Sequence, residues 1–270
     1  MGEYDELLTL AREVALEAAE LVRAKRREGV EVAATKSSAV DIVTEADRAS
    51  EKLIYERLMA ARPDDGFLGE EGASAKSHTG VTWVVDPIDG TVNFLYGIPQ
   101  YAVSIAASVD GESVAGVVVN VASGECFTAT RGGGAFLDRA PLQVRARAPL
   151  AERLVLTGFN YLVEVRRSQA AAAARMLPEV RDIRRLGSSA LDLCAIAAAR
   201  ADAYLEEGLH PWDMAAGGLV ATEAGARLEA RPGAGGGTCY LCAPRDGFDE
   251  FEDLVERSGF LGEQNVDVSR

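Results

Sequence analysis

The residues of this sequence best suited to chemistry are acidic side chains held in tight turns. The apolar run Trp83-Val84-Val85 stops abruptly in Asp86-Pro87-Ile88-Asp89-Gly90-Thr91-Val92-Asn93-Phe94. Two aspartates three apart across a proline-fixed bend can aim both carboxylates at one point, where their repulsion is costly unless a cation lies between them. Oxygen-only ligands select Mg²⁺ or Mn²⁺ rather than zinc. After the bend, the backbone N–H groups of Gly90 and Thr91 stand at the start of a helical turn, a position that suits a phosphate. Read in isolation, Asp-x-x-Asp-Gly is more often a turn capped by Asp89. Two further acidic segments bear on that choice. Gly69-Glu70-Glu71-Gly72 follows a short strand, Gly66–Leu68, and alone would be a solvated glycine turn. In His210-Pro211-Trp212-Asp213-Met214-Ala215-Ala216-Gly217, Asp213 opens a small-residue helix and alone would read as its N-cap.

Composition limits what such a site can serve. With 270 residues, 48% of them hydrophobic, the chain can build one large domain or two intimate subdomains. No apolar run reaches the length of a membrane span, and Glu3, Asp5 and Glu6 precede any apolar stretch, the reverse of a secretory leader. The expectation is a cytoplasmic protein without membrane partners. A net charge of −14 argues against a nucleic-acid surface, which needs basic residues to displace counterions. It would also repel an anionic substrate, unless bound divalent cations invert the local field. Four cysteines are present, and Cys239-Tyr240-Leu241-Cys242 has zinc-ligand spacing. No second pair accompanies it, and His78 and His210 are distant. In a strand, residues three apart face opposite sides, so core cysteines are expected.

The elements that must position the acidic residues are legible in outline. An amphipathic helix is expected over Tyr4–Arg27, then a second one capped by Thr44 and running through Met59, with Asp47 in its first turn. Strands follow at Thr82–Asp86, Ala102–Val109, Ser113–Val121 and Glu125–Ala129, with Asp110-Gly111 as a hairpin turn. Arg131-Gly132-Gly133-Gly134 has the look of a phosphate loop but lies between strands, which favours a hairpin. A boundary near residues 146–150 separates an N-terminal subdomain, 1–147, from a C-terminal one, 148–270. In the second, Leu154–Thr157, Val180–Arg185, Ala203–Glu206 and Thr238–Cys242 read as strands. Glu164–Leu177, Ser189–Ala199, Asp213–Ala224 and Asp249–Arg257 read as helices, and Pro232 to Gly237 as a flexible loop. There is no internal repeat, and the pattern is that of two α/β halves sharing one core.

Together and in this order, the Gly-Glu-Glu turn, the Asp-Pro-Ile-Asp-Gly-Thr-x-Asn-Phe segment and the Trp-Asp-x-Ala-Ala-Gly segment resemble the inositol monophosphatase family. Lys36-Ser37-Ser38-Ala39-Val40-Asp41-Ile42-Val43-Thr44-Glu45-Ala46-Asp47 looks like that family's N-terminal motif, and Leu186-Gly187-Ser188-Ser189-Ala190 like its substrate loop. The resemblance covers nearly the whole chain. It implies the layered αβαβα sandwich of the sugar phosphatases, in a homodimer, with lithium-sensitive, Mg²⁺-dependent hydrolysis of inositol monophosphate.

By the same resemblance, Glu70, Asp86 and the Ile88 carbonyl hold one of two or three metal ions, and Asp86, Asp89 and Asp213 hold another. A metal-activated water, oriented by Glu70 and Thr91, attacks in line, and Asp47 supports the Thr91 hydroxyl. Gly90 and Thr91 hold the phosphate, while Lys36 steers it or is simply exposed. Gly187, Ser188, Ser189 (an alanine in many relatives) and Glu206 contact the polyol. Arg184 reaches the substrate or a neighbouring subunit, and His210 is structural. The same metal site could instead serve histidinol phosphate, fructose 1,6-bisphosphate or a 3′-phosphonucleotide. A non-catalytic role in a transcription complex is the reading from a different class.

Overall fold

The computed structural model describes residues 2, 4–30, 32–35 and 42–262. Helix α1 (Asp5–Glu28) buries Leu7, Ala11, Val14, Ala18 and Val22, the stripe that its apolar spacing predicts. The short antiparallel pair β1 (Val32–Thr35) and β2 (Ile42–Thr44) leads into α2 (Glu45–Ala61). Thr44 caps α2 as expected: its hydroxyl accepts from the Asp47 N–H, and the Asp47 carboxylate accepts from the Thr44 N–H.

The first sheet is built from β3 (Gly66–Gly69), β4 (Ser74–Ala75), β5 (Val81–Asp89), β6 (Ala102–Val109), β7 (Glu112–Asn120), β8 (Cys126–Thr130), β9 (Gly134–Leu137) and β10 (Ala140–Pro141), with helix α3 (Thr91–Tyr96) between β5 and β6. Its eight strands lie in the order β10-β9-β8-β7-β6-β5-β3-β4. Within this sheet, among the described residues, only β3 and β5 pair in parallel, so the Glu70 turn and the Asp86 bend leave the same edge of the sheet. Asp110 and Gly111 both take positive φ in the β6–β7 turn, and residues 131–133 form the β8–β9 hairpin turn, closed by the Thr130–Gly134 pair.

The second half runs β11 (Leu154–Thr157), α4 (Val163–Met176), β12 (Asp182–Arg184), α5 (Ser189–Ala197), β13 (Ala203–Glu207), α6 (Pro211–Glu223), β14 (Ala226–Pro232), β15 (Thr238–Pro244) and α7 (Phe248–Ser258). Its five strands lie in the order β12-β11-β13-β15-β14. Strand β14 was not expected from the sequence. It is an edge strand whose Arg227, Glu229 and Arg231 pair with one another and with Asp249 and Glu252 of α7, Arg227 also lying over the Phe248 ring, so apolar alternation is weak.

Four cores separate five layers. On one face of the first sheet, Trp83, Val85, Ile105 and Val117 pack under α1 and α2. On its other face, Val84, Ala106, Val118 and Phe127 meet Leu191 and Cys194 of α5 and Ala216 and Val220 of α6. The far sides of α5 and α6, with Leu193, Ile196 and Ala221, cover Leu156, Tyr204 and Cys242 of the second sheet. Its outer face, with Val155, Leu205 and Leu241, lies under α4 and α7. This is the layered α/β/α/β/α sandwich.

All four cysteines are buried and free. Cys239 belongs to the outer core and Cys242 to the inner one, on opposite faces of β15. Among the described residues, no helix is long and apolar enough to cross a membrane.

Candidate active site

Strand β5 does not end at Asp86, where the sequence reading stopped it, but continues to Asp89 through an irregularity. Asp86 lies opposite Ser104 and Asp89 opposite Ala102, so Pro87 and Ile88 together face the one residue between those partners. Proline has no N–H to offer the ladder, and a bulge is where a strand tolerates it. The extra residue brings Asp86 and Asp89 to one side, and the Ile88 N–H closes the bend on Asp86 Oδ1 at 3.0 Å. Gly90 follows in the left-handed region, φ 92°, as the cap of α3. A Cβ there would lie 2.9 Å from the Gln100 carbonyl and 3.0 Å from that of Gly187, so only glycine fits.

The third aspartate comes from the other half of the chain. His210, not Asp213, is the N-cap of α6, with Pro211 next. The Asp213 carboxylate reaches back to the His210 N–H at 2.6 Å. Its capping and site-facing roles therefore coexist. One carboxylate oxygen each from Asp86, Asp89 and Asp213 lie within 4.8 Å of one another. Asp47 repeats the device on α2. Its Oδ2 accepts from Thr44, while its Oδ1 stands 3.0 Å from the Thr91 hydroxyl. That hydroxyl is also 3.0 Å from the Ile88 carbonyl.

Burial and mutual repulsion dominate the electrostatics. Asp86 is pushed well above the usual carboxylate range by burial, then by Glu70, Asp89 and Asp213. Asp213 is raised for the same reasons, burial first and Asp89 next. Burial also lifts Asp47 to about 6. Asp89 rises to about 6 through burial, against the lowering bonds from Ser188 and Ala190. Without a cation, Asp86 and Asp213 are held toward their protonated forms, and Asp47 and Asp89 less strongly so. An all-oxygen donor set of this density fits a hard divalent ion, whose charge would replace the protons.

Glu70, Asp86, Asp89, Thr91, Glu206 and Asp213 line one cleft of about 420 Å³, to which Ile88, Gly90, Gly187 and Ser189 also contribute. Glu206, on β13, is half-buried and accepts from the Tyr204 hydroxyl at 3.0 Å. Burial raises it to about 7, against the lowering effects of Arg185 and the Tyr204 bond. His210 is on the wall as well, its ring stacked on Trp212 at 4.9 Å.

Two expected contacts are placed differently. Ser188 caps α5 and gives its hydroxyl to Asp89 at 2.5 Å, so it supports an aspartate from behind rather than facing the cleft. Arg184 points away from the cleft. Strand alternation sets it on the side of Asp182, with which it forms an ion pair, and it lines a separate cavity of about 280 Å³. Its neighbour Arg185 is the arginine in the cleft. The alternation of β12 carries that distinction. The sequence reading also missed the loop Phe159 to Leu162 and Glu207 on the cleft wall. Lys36 lies outside the described residues.

The profile of the inositol monophosphatase family matches residues 3–249. The chain belongs to the inositol monophosphatase family. It is 45% identical to the inositol-1-monophosphatase SuhB of Mycobacterium tuberculosis over 276 aligned residues, covering 95% of each chain. A solved structure of M. tuberculosis SuhB superposes with a TM-score of 0.83 at 43% identity, covering 97% of this chain and 100% of that one. A relative named Nus factor SuhB, from Xylella fastidiosa, is 42% identical over 191 residues, 70% of this chain and 69% of its own. Phosphatase chemistry on an acidic, metal-capable centre is thus the family setting of this cleft.

Proposed function

We propose that the protein hydrolyses inositol monophosphate to inositol and phosphate in a Mg²⁺-dependent reaction, working as a homodimer. The observation that carries this reading is the convergence of Glu70, Asp86, Asp89 and Asp213, distant along the chain, on one cleft that also holds Glu206. Glu70, Asp86 and the Ile88 carbonyl would hold one ion, and Asp86, Asp89 and Asp213 another. When bound, such ions neutralise the phosphate and activate water for in-line displacement.

The chain's own residues do the rest. Glu70 and the Thr91 hydroxyl orient the attacking water, and Asp47 fixes the hydroxyl through the 3.0 Å contact. The N–H groups of Gly90 and Thr91, at the start of α3, face the phosphoryl oxygens. Glu206 accepts hydrogen bonds from ring hydroxyls, which suits a polyol. Arg185 is set to neutralise a further substrate oxygen on the same wall.

A phosphate-release panel with Mg²⁺ tests the reading, across inositol 1-phosphate, histidinol phosphate, fructose 1,6-bisphosphate and a 3′-phosphonucleotide. Preference for inositol 1-phosphate is expected, and preference for another member reassigns the substrate. The relative named Nus factor motivates a non-catalytic reading as well. Against it stands the energetic cost of clustering buried carboxylates, which a scaffold does not need. An absence of turnover on the whole panel would favour it.

A further inference from the structure

Helix α2 carries a buried polar row that the chemistry above only partly uses. Asp47, Ser50 and Glu51 are 0%, 0% and 4% exposed. At i, i+3 and i+4 they share one helical face, and each holds a different part of the cleft. Asp47 holds Thr91. Ser50 donates its hydroxyl to the Pro87 carbonyl at 3.1 Å, inside the bulge between Asp86 and Asp89. Glu51 accepts two backbone bonds from the turn that bears Glu70, from the Glu71 N–H at 2.7 Å and the Ala73 N–H at 2.9 Å. Contact here is close enough that a Cβ on Gly69 would lie 2.2 Å from Glu51 Oε2.

We infer that Glu51 is a positioning residue for the metal centre, clamping the Glu70 turn to the same helix face that fixes the Asp86–Asp89 bulge. The reason lies in the geometry of the site. Glu70 faces three other carboxylates, and the four can share a divalent ion only at fixed separations, so the turn that carries Glu70 has to be held in place. Its backbone is tied to β5 by the Glu70 N–H to the Val85 carbonyl at 3.2 Å. The two bonds to Glu51 lie directly after Glu70 and fix the far side of its turn. A single rigid helix thereby sets the distance between two ligand-bearing segments. Partners that orient ligands typically govern affinity for the ion by about 10–100-fold.

This inference rests on the metal-phosphatase reading, and its test separates the two. Mg²⁺ is titrated calorimetrically into the metal-free full chain for wild type, Glu51→Gln, Glu51→Asp and Ser50→Ala, alongside kcat, KM and metal-free Tm. Glu51→Gln turns an amide N–H toward a backbone donor. It is expected to weaken Mg²⁺ binding by about 10–100-fold and to lower kcat at fixed Mg²⁺, with recovery at excess Mg²⁺ and an unchanged KM. Glu51→Asp, which keeps the charge one methylene short, should lie between. Ile54→Val, one turn further along the same buried face of α2 and packed in the apolar core, serves as a control that lowers Tm while leaving Mg²⁺ affinity intact.

Unchanged Mg²⁺ affinity in a folded Glu51→Gln overturns the role. So does a loss in Ile54→Val as large as that in Glu51→Gln, since the effect would then be general destabilisation. If Glu51→Gln does not fold, Glu51→Asp and Ser50→Ala decide, and wild-type affinity in both overturns it. Wild-type protein that binds Mg²⁺ without hydrolysing any phosphate leaves the titration valid and removes only the phosphatase reading. Wild-type protein that binds no Mg²⁺ overturns both.

Discussion

Ser188 donates its hydroxyl to Asp89 at 2.5 Å across 99 residues of sequence, and the Ala190 N–H reaches the same carboxylate oxygen at 2.7 Å. The start of α5 thus supports an aspartate that leaves the sheet of the other half, and leaves Oδ1 with only two longer contacts of 3.3 Å from Ser189. Ser188→Ala removes both this bond and the α5 cap. A stability loss of about 1–2 kcal/mol is expected in thermal denaturation. Because the lost bond lowers the Asp89 pKa, protons should compete harder with Mg²⁺. The variant's loss of Mg²⁺ affinity is therefore larger at pH 6 than at pH 8, and equal losses would dissociate Ser188 from the ionisation of Asp89.

Asp86→Asn separates stability from activity. Burial and three neighbouring carboxylates raise the Asp86 pKa in the folded protein. A carboxyl raised in this way contributes stability that is complete below its unfolded pKa and is lost as the pH rises through the folded one. In metal-free protein, Asn should therefore raise Tm relative to wild type at pH 8 and give no gain at pH 4. Mg²⁺-dependent phosphate release should fall by on the order of 100-fold or more. Undiminished turnover would remove Asp86 from the mechanism.

Glu206 titrates at about 7, inside the working range of a neutral-pH assay. Above that pH it is ionised and accepts hydroxyl bonds, and below it a proton occupies one oxygen. The ratio of KM in Glu206→Gln to KM in wild type, measured on inositol 1-phosphate, should rise as pH increases from 6 to 8. Taking the ratio cancels the titration of the substrate phosphate. Glu206→Ala should weaken hydrolysis of inositol 1-phosphate more than that of an aryl phosphate. Equal losses on both would refute the specificity role.

Most of the metal centre could be read in the sequence because each ligand sits in a short segment of unusual type: Asp-Pro-Ile-Asp-Gly, Gly-Glu-Glu-Gly, Trp-Asp. Their convergence could not be read from local pattern, since Asp213 joins Asp86 only through the packing of α6 on the first sheet. It came from the family resemblance. What escaped was local geometry set by tertiary partners. The bulge at Pro87 needs β6 opposite it before the strand can be followed to Asp89. Glu51 reads as one more surface charge on a helix until the Glu70 turn folds over it. Strand β14 was missed because its charged residues, at a sheet edge, are satisfied by one another and by acidic residues of α7 that only the fold brings over them.

The two arginines of β12 and its end give the sharpest test of placement. Arg184 shares a side with Asp182, its ion-pair partner, and both are largely exposed, a pairing that contributes at most about 1 kcal/mol. Arg185, one residue on, turns to the cleft wall, where its charge lowers both Glu206 and the buried Asp192. Arg185→Ala should raise KM for inositol 1-phosphate by roughly 10-fold, the scale of one charge-assisted hydrogen bond. It should also push the Glu206 titration upward, moving the pH dependence of KM with it. Arg184→Ala should leave kcat and KM for the isolated reaction within about twofold of wild type, since nothing ties its guanidinium to the cleft. Steady-state kinetics on both variants, run at several pH values, decides the matter. If Arg184→Ala were the one to lose substrate affinity, strand alternation would have assigned the wrong arginine.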